Sequence, residues 1–425
     1  MNIKRFFHKE SIIRSVLTLA SGTVVAQLIA ILIQPILRRI IPVEDFGAYA
    51  VYMSVVGILA TVITLRYDMA VVIPKKDDKA SALVVGGISS AFIISVVLFV
   101  LIYFFKTHFL TYLNVSEEYS FWFYFLPATL FFAGSYRMLN NWLIRKKKFA
   151  LSATNKGIRR SAEASVQTSL SAFQINGSLI FGELFGSAIN FSIGLYQSIK
   201  NGLRFKSLSK TLLFSSLKEY NHFPKYNILP VLLNNAAAWL PVLFITRFFS
   251  IETTGEYDLT RQVLAISLSL ISMSVAQVYL QRIAAMRNRG EKILPDIIKV
   301  TKILGSLSLI GIILTLLVGP FIFGFIFGES YEISGVYAQI MIFSFGIRLI
   351  VSPLSVVFVN LERLKLNAVW QISYFFCILS LLLFNFSNIK EFLYYIVTID
   401  IIAYSIYYAM IIYITKNYDK SIASD

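Results

Sequence analysis

The sequence predicts an all-helical integral membrane protein with about twelve transmembrane helices in two bundles of six. Of its 425 residues, 57% are hydrophobic and only 15% are charged, whereas a soluble domain carries charge on about a quarter of its residues. Mean hydropathy is +0.70, and the apolar residues suffice for twelve spans of about 20 residues each. The net charge of +16 therefore indicates basic residues kept on the cytoplasmic side rather than a nucleic-acid partner.

Twelve apolar runs with few charges are candidate membrane-spanning helices. The fifth and the eighth are too polar to be recognised alone, so their assignment depends on how the basic residues are distributed. The runs cover residues 15–37, 46–65, 81–105, 121–140, 158–178, 179–199, 228–249, 255–280, 302–325, 335–359, 367–386 and 391–414.

The basic residues assign an orientation to these runs. With a cytoplasmic N-terminus, 32 of the 39 Lys and Arg fall in cytoplasmic segments and six in outer ones. Leaving out either polar run destroys this asymmetry, so the sequence predicts twelve spans with both termini in the cytoplasm. The first apolar run continues to Leu37 without a small-residue cleavage site, which favours a retained helix over a signal peptide.

A short pattern recurs at the outer ends of three predicted spans. Glu-x-x-Gly-x-Tyr begins at Glu44, at Glu252 and again at Glu332, which places it before spans two, eight and ten. The recurrence predicts two halves of the same orientation, residues 1–206 and 207–425, related by a pseudo-two-fold axis. A general preference for acidic residues at helix N-termini explains the Glu but not the shared Gly and Tyr.

Polar residues recur at helical spacing inside several spans. A charge that faces lipid costs several kcal/mol, so such a face must contact protein or water. We interpret these faces as walls of a hydrated cavity, and the alternative is helix–helix contact through Ser, Thr and Gln. The stripes consist of Arg160, Glu163, Gln167, Ser171, Gln174 and Ser178 in the fifth span; Thr23, Gln27, Gln34 and Arg38 in the first; Gly57, Thr61, Thr64 and Asp68 in the second; and Asp258, Arg261, Ser269 and Ser272 in the eighth.

Two further charges lie nearer the predicted bilayer midplane. Arg348 in span ten and Asp400 in span twelve are each a functional hypothesis, since ionisable residues inside a membrane are costly. A structural ion pair between them explains both equally well. Arg66 and Asp68, at the inner end of span two, could also pair locally.

No motif typical of catalysis is present. The sequence lacks the G-x-x-x-x-G-K-[ST] loop that binds nucleoside phosphates, and its three histidines lie in separate loops. The single cysteine, Cys377, excludes a cysteine metal cluster. No connection is long enough for an added domain, and a glycan polymerase or ligase usually needs a large outer loop. The sequence therefore predicts a transporter with no catalytic residue, metal or cofactor.

Several motifs resemble those of one family in order and spacing over essentially the whole chain. They are VEDFGAY (43–49), LRYDMA (65–70), YNHFPKYNILP (220–230), LPVL (240–243), TGEYDL (254–259), RQVL (261–264), FGE (327–329) and SPLS (352–355). Together they resemble the bacterial oligosaccharide (O-antigen, Wzx-type) flippases of the multidrug/oligosaccharidyl-lipid/polysaccharide exporter superfamily. One departure is Asp68, where many relatives have Glu.

The resemblance implies a V-shaped, MATE-like pair of six-helix bundles in the bacterial cytoplasmic membrane that works by alternating access. The implied substrate is an undecaprenyl-pyrophosphate-linked sugar repeat unit of O-antigen, capsule or exopolysaccharide, moved from the inner to the outer leaflet. Membrane lipids and glycan polymerase machinery are the implied partners. Such a substrate cannot cross hydrocarbon unaided, because an isolated charge there costs far more than thermal energy.

Physical chemistry selects candidate residues for that substrate. Guanidinium groups suit phosphate oxygens, amides suit sugar hydroxyls, and an indole can stack on a sugar face. The substrate candidates are Arg66, Arg160, Arg261, Arg348, Gln27, Gln167, Asn235 and Trp239, while Glu163, Asp258 and Asp400 are candidates for ion coupling or for static salt bridges.

Two other functions stay open at this point. A cation-coupled, MATE-like exporter of small molecules shares the fold, although its usual cationic substrates disfavour a cavity rich in arginine. A membrane-embedded glycan polymerase or ligase is the other, and the missing outer loop disfavours it.

Overall fold

The computed structural model describes residues 3–205 and 209–424, and side chains from residue 22 to 422 with the same gap. Regular structure within these ranges is helical throughout. The first nine α-helices are α1 (Ile3–Ile40), α2 (Val43–Leu59), α3 (Tyr67–Ala70), α4 (Asp77–Tyr112), α5 (Leu126–Arg145), α6 (Phe149–Ala172), α7 (Ser178–Lys200), α8 (Lys210–Glu219) and α9 (His222–Phe248). The others are α10 (Ile251–Asn288), α11 (Leu294–Phe327), α12 (Glu332–Val351), α13 (Val356–Asn360), α14 (Leu364–Leu379) and α15 (Ile389–Ser424).

Each of the twelve predicted spans overlaps one of the longer helices. Within the described ranges, nine helical segments are long and apolar enough to cross a bilayer, and they lie in α1, α4, α7, α9, α10, α11, α12, α14 and α15. The protein is therefore a multi-pass membrane protein. The helices of the other three predicted spans do not meet these conditions: α2 has only 17 residues, and α5 and α6 are too polar. The eighth run, expected to be too polar, is among the nine because its apolar part lies beyond Arg261.

The second predicted span is shorter than expected. α2 ends at Leu59 rather than near residue 65, and residues 60–66 form turns. Leu65 and Arg66 have φ angles of 50° and 62°, a left-handed conformation that side chains with a Cβ adopt at a cost. The prediction that Gly57, Thr61, Thr64 and Asp68 share one helix face is therefore wrong, because the helix stops before the last three.

The predicted boundary between spans five and six is also wrong. α6 ends at Ala172 and α7 begins at Ser178, so Gln174 and Ser178 do not continue the α6 stripe. Gln174 has a φ of 54° and Gly177 one of 75°. Asn176-Gly177 is a sequence that favours such a turn. The apolar residues on both sides of it made the two helices look continuous in the sequence.

The chain divides into two compact units, Met1–Trp239 and Leu240–Asp425. In the first, α6 packs between α1 and α7, and α5 packs between α4 and α7. In the second, α12 packs against α10, α11 and α15. The boundary between the units lies inside α9. The halves 1–206 and 207–425 were derived from the sequence repeat, and they stay a prediction about internal symmetry.

The longest polar connection, after α7, contains the short helix α8. Its Leu217 side chain packs against Gly86 of α4, and its Leu217 carbonyl accepts a hydrogen bond of 3.2 Å from the Tyr67 hydroxyl. Lys79 of α4 forms an ion pair with Glu219 at 2.7 Å. The connection is therefore packed against the predicted cytoplasmic ends of α3 and α4.

Candidate functional site

Four charged side chains of α6 and α7 form two ion pairs in the first unit. Arg160 contacts Glu163 at 2.5 Å and Arg159 contacts Glu183 at 2.5 Å. Glu163 and Glu183 are 2% and 1% exposed, a burial that carboxylates tolerate only when paired. Sequence analysis missed the second pair, although a charge such as Glu183 inside an apolar run is itself a signal.

Tyr49 of α2 lies near these four charges. It is the tyrosine of the first Glu-x-x-Gly-x-Tyr copy, it is buried, and it interacts electrostatically with both arginines and both glutamates. The first unit therefore contains a buried cluster of balanced charge around a repeat tyrosine, which we call the Tyr49 cluster.

The second unit contains a corresponding arrangement. Arg261 contacts Asp258 at 2.8 Å, and Arg348 contacts Asp400 at 2.7 Å. Asp400 also accepts hydrogen bonds from the Tyr374 hydroxyl at 2.7 Å and from the Ser344 hydroxyl. The sequence left two explanations open for Arg348 and Asp400, and the structure shows one of them, an ion pair between the two residues.

Tyr257, the tyrosine of the second repeat copy, lies among these charges. It is 3% exposed and interacts electrostatically with Arg261, Asp258, Arg348 and Asp400. This Tyr257 cluster again combines two arginines with two carboxylates. The first two repeat copies thus each place their tyrosine near two arginines and two buried carboxylates, although different helices supply the charges in the two units.

The remaining part of the α6 stripe contacts α7. Gln167 is 5% exposed and its amide donates to the Leu179 carbonyl at 3.1 Å, while the Ser171 hydroxyl donates to Ser178 at 2.9 Å. A Cβ at Gly182 of α7 would overlap the Gln167 side chain. For Gln167 and Ser171 the structure therefore shows the helix–helix contact that was the alternative to a cavity wall.

Two candidates on α9 pack against α2 and the turn that follows it, within the first unit. The Asn235 amide donates to the Thr61 hydroxyl, and a Cβ at Gly57 would overlap the Trp239 indole. The four residues form two contacts one helical turn apart. Gln27, on α1, is partly buried, and α1 packs on α6, where Lys156 donates to Thr23 at 2.7 Å.

Arg66 differs from the other candidate arginines. Its ion pair with Asp68 is long, with Nη1 3.8 Å from Asp68 Oδ2, whereas the ion pairs of Arg160, Arg261 and Arg348 measure 2.5 to 2.8 Å. Arg137 of α5 interacts electrostatically with Arg66 and Asp68, and no ion pair or hydrogen bond to it occurs in the described part of the chain. Thr64 donates to Asp68 at 3.2 Å. This Arg66–Arg137 cluster therefore holds one positive charge in excess. Arg137 is one of the 32 basic residues that the sequence assigned to cytoplasmic segments, and nothing else in the sequence indicated a role for it.

Comparisons with known proteins agree with this architecture. The chain resembles an inward-facing multidrug-resistance MATE transporter of the MOP superfamily (TM-score 0.73, 12% identity, 96% of each chain). It also resembles the lipid II flippase MurJ in an inward closed conformation (0.66, 15%, 98% of this chain and 91% of that one). A MOP superfamily transporter from Pyrococcus furiosus gives a TM-score of 0.63 at 12% identity, over 98% of this chain and 96% of the other. At these identities the likeness is one of fold.

A comparison with curated proteins gives no match. Residues 12–287 match the model of a family described as polysaccharide biosynthesis protein. Because that match covers more than half of the 425 residues, the chain belongs to the polysaccharide biosynthesis protein family.

Proposed function

We propose that this protein is a Wzx-type flippase, not an enzyme, that moves undecaprenyl-pyrophosphate-linked oligosaccharide from the cytoplasmic to the outer leaflet by alternating access. Membership of the polysaccharide biosynthesis family and a fold like that of a lipid II flippase support the proposal. The oligosaccharide would be the repeat unit of an O-antigen, a capsule or an exopolysaccharide.

The excess charge of the Arg66–Arg137 cluster is the observation that carries this proposal. A pyrophosphate needs cationic donors that carboxylates do not already neutralise, and guanidinium groups present several N–H groups in a fixed fork. Asp68 lies 3.8 Å from Arg66, which is longer than a direct hydrogen bond. We therefore assign first contact with the pyrophosphate to Arg66, together with Arg137.

The other candidate arginines would act differently, because each already has a carboxylate partner. Arg160, Arg261 and Arg348 would bind phosphate only after that partner releases them. Protonation of Glu163, Asp258 or Asp400 would weaken the pair, since a neutral carboxyl no longer attracts the guanidinium. We propose that these carboxylates couple transport to protons, and that Gln27, Gln167, Asn235 and Trp239 contact the sugars when helix packing changes.

The proposed topology has twelve spans, with both termini cytoplasmic, in the bacterial inner membrane. The three shorter or more polar helices α2, α5 and α6 would also cross, because neighbouring helices cover part of their polar residues, among them Glu163 and Gln167. The internal halves would be residues 1–206 and 207–425. Membrane lipids and glycan polymerase machinery are the proposed partners.

A cation-coupled exporter of small molecules is the second candidate function. The high TM-score to a multidrug MATE transporter and the buried carboxylates favour it. The excess cationic charge of the Arg66–Arg137 cluster argues against it, because it would repel a cationic drug.

Complementation tests the proposal directly. The gene is expressed in a flippase-null strain that makes a matching lipid-linked repeat unit, and surface glycan and lipid-linked intermediate in the inner leaflet are measured. We expect restored surface glycan and a fall in the intermediate. Expressed protein that changes neither, but lowers the accumulation of a cationic dye, would replace the flippase by the exporter.

A further inference from the structure

The connection between α7 and α9 carries a strong positive charge. Residues 200–230 include six Lys or Arg and a single carboxylate, Glu219, which forms an ion pair with Lys79 of α4. Four of these cations are exposed around α8 and have no ion-pair partner in the described part of the chain: Arg204, Lys210, Lys218 and Lys225. An anion outside the protein would therefore find cations here that no carboxylate neutralises.

Exposed aromatic rings lie between these cations. Phe214 is 69% exposed and Tyr226 is 66% exposed, and the centroid of the Tyr226 ring lies 5.4 Å from Lys225 Nζ. Lys210, Phe214 and Lys218 follow one another at a spacing of four residues along α8, so they share one helix face. Together these side chains form a surface that we call the α8 strip: Arg204, Lys210, Phe214, Lys218, Lys225 and Tyr226.

The opposite face of α8 places the strip at the depth of the membrane surface. Leu217, Tyr220 and Phe223 pack in one apolar core with residues of α3, α4 and α5, and a Cβ at Gly86 would overlap the Leu217 side chain. Gly86 lies inside the predicted third span, which begins at residue 81, and the helix rises about 8 Å between these positions. Helices that lie flat on a membrane are buried to a depth of about 5–10 Å. The strip is therefore at a level where it meets lipid headgroups.

The aromatic rings indicate which partner the strip fits. Basic residues are expected on any cytoplasmic connection because they orient the protein, but orientation does not require an exposed phenyl ring. Aromatic side chains are enriched where the hydrocarbon meets the headgroups, and cations together with such rings are typical of helices that lie on anionic membranes. A nucleic acid or an acidic protein could neutralise the cations, but neither reaches the depth of Gly86. The strip therefore fits the headgroups of anionic phospholipids.

We infer that the α8 strip binds anionic phospholipids of the cytoplasmic leaflet, with its cations on the headgroup phosphates and the Phe214 ring among the first acyl carbons. The inference rests on the topology given in the proposed function and not on the identity of the transported molecule. α8 also contacts the segment that carries Arg66, because the Leu217 carbonyl accepts a hydrogen bond from the Tyr67 hydroxyl at 3.2 Å. Lipid bound to the strip would therefore help to hold the turn beside the Arg66–Arg137 cluster.

A fluorescent label beside the strip tests the inference on the full-length protein in nanodiscs. Ser215 is exposed on α8 next to Phe214, and Cys377→Ser removes the single native cysteine, so a label on Ser215→Cys reports on this surface alone. Quenching of the label by brominated phosphatidylglycerol is compared with quenching by brominated phosphatidylcholine. A second label, on Thr211→Cys, repeats the measurement one helical turn away.

Two triple variants with the same change in charge locate the binding. One neutralises lysines of the strip, and the other neutralises exposed lysines of the second unit on the predicted cytoplasmic side. They are Lys210→Gln/Lys218→Gln/Lys225→Gln and Lys292→Gln/Lys302→Gln/Lys365→Gln. Phe214→Ala removes the ring of the strip, and its control is Phe321→Ala, at a position of α11 where the ring is 70% exposed.

We expect the label to show at least a tenfold preference for phosphatidylglycerol, since each Lys or Arg at a membrane surface contributes about fivefold. The strip triple variant should lower that preference below threefold, and the second-unit triple variant should stay within twofold of the unsubstituted protein. Phe214→Ala should weaken quenching by both lipids, whereas Phe321→Ala should leave it unchanged. A label that neither lipid quenches, an equal response to both lipids, or an equal loss in the two triple variants would each overturn the inference.

Complementation separates this inference from the proposed function. A protein that restores surface glycan but shows no lipid preference at α8 would remove the lipid site and leave the flippase. A lipid preference at α8 without complementation would do the opposite.

Discussion

The Tyr49 and Tyr257 clusters and the Arg66–Arg137 cluster all contain partly buried arginines, but they differ in charge balance. In the first two, every arginine contacts a carboxylate at 2.5 to 2.8 Å. In the third, Arg66 lies 3.8 Å from Asp68, which also interacts electrostatically with Arg137. A buried arginine is therefore a weak indication of a binding site by itself, because pairing can account for it. The unbalanced charge is the more specific indication.

The largest expected effect is the loss of Asp400 from the Tyr257 cluster. Asp400→Leu leaves Arg348 without its carboxylate and the Tyr374 and Ser344 hydroxyls without their acceptor. Breaking a buried pair from one side costs about 3–5 kcal/mol. We expect a large fall in the yield and thermal stability of the detergent-solubilised protein.

The double variant Arg348→Met/Asp400→Leu is the control for that change. Replacing both partners of a buried pair by apolar groups is often neutral, so the double variant should recover most of the lost stability. A double variant as unstable as the single one would show that charge balance does not hold this cluster together.

A smaller effect is expected where Trp239 packs on α2. Gly57→Leu places a side chain where the indole lies, and overpacking of this kind costs about 1–3 kcal/mol. Thermal unfolding should therefore begin at a lower temperature than in Gly311→Leu, whose side chain enters open space. Equal stability of the two variants would mean that Trp239 is not held against Gly57, which would favour its role in sugar stacking.

The smallest effect is expected for an exposed pair outside all three clusters. Arg287 contacts Glu362 at 2.9 Å with side chains 41% and 76% exposed, and such pairs contribute about 0–1 kcal/mol. Glu362→Gln should leave thermal stability almost unchanged. A loss of thermal stability as large as that of Asp400→Leu would show that the exposure of an ion pair does not predict how much the pair stabilises this protein.

Local spacing explains which parts of these clusters were predictable. Arg160 with Glu163 and Asp258 with Arg261 are three residues apart, so helical geometry alone brings them together. Arg159 with Glu183 are on different helices, and only the packing of α6 on α7 makes them partners. The twelve apolar runs likewise predicted where helices occur, since hydrophobicity is a property of each segment by itself.

Backbone conformation was the part that the sequence concealed. Nothing in Leu65-Arg66 marks the left-handed backbone that lies between α2 and α3, because neither residue is Gly or Asn. The contact of Trp239 with Gly57 depends on how α9 lies against α2, which single-sequence patterns do not report. These are the places where tertiary packing overrides local preference.

The most direct measurement is transport by variants of the unbalanced cluster. Arg66→Gln and Arg137→Gln are compared with Arg289→Gln, an exposed residue paired with Glu291 at 2.7 Å, in the flippase-null strain and at matched protein levels. We predict at least a tenfold loss of surface glycan for the two cluster variants, normal thermal stability, and wild-type glycan for Arg289→Gln. Folded Arg66→Gln and Arg137→Gln proteins that both transport at the wild-type level would contradict the assignment of the pyrophosphate to this cluster.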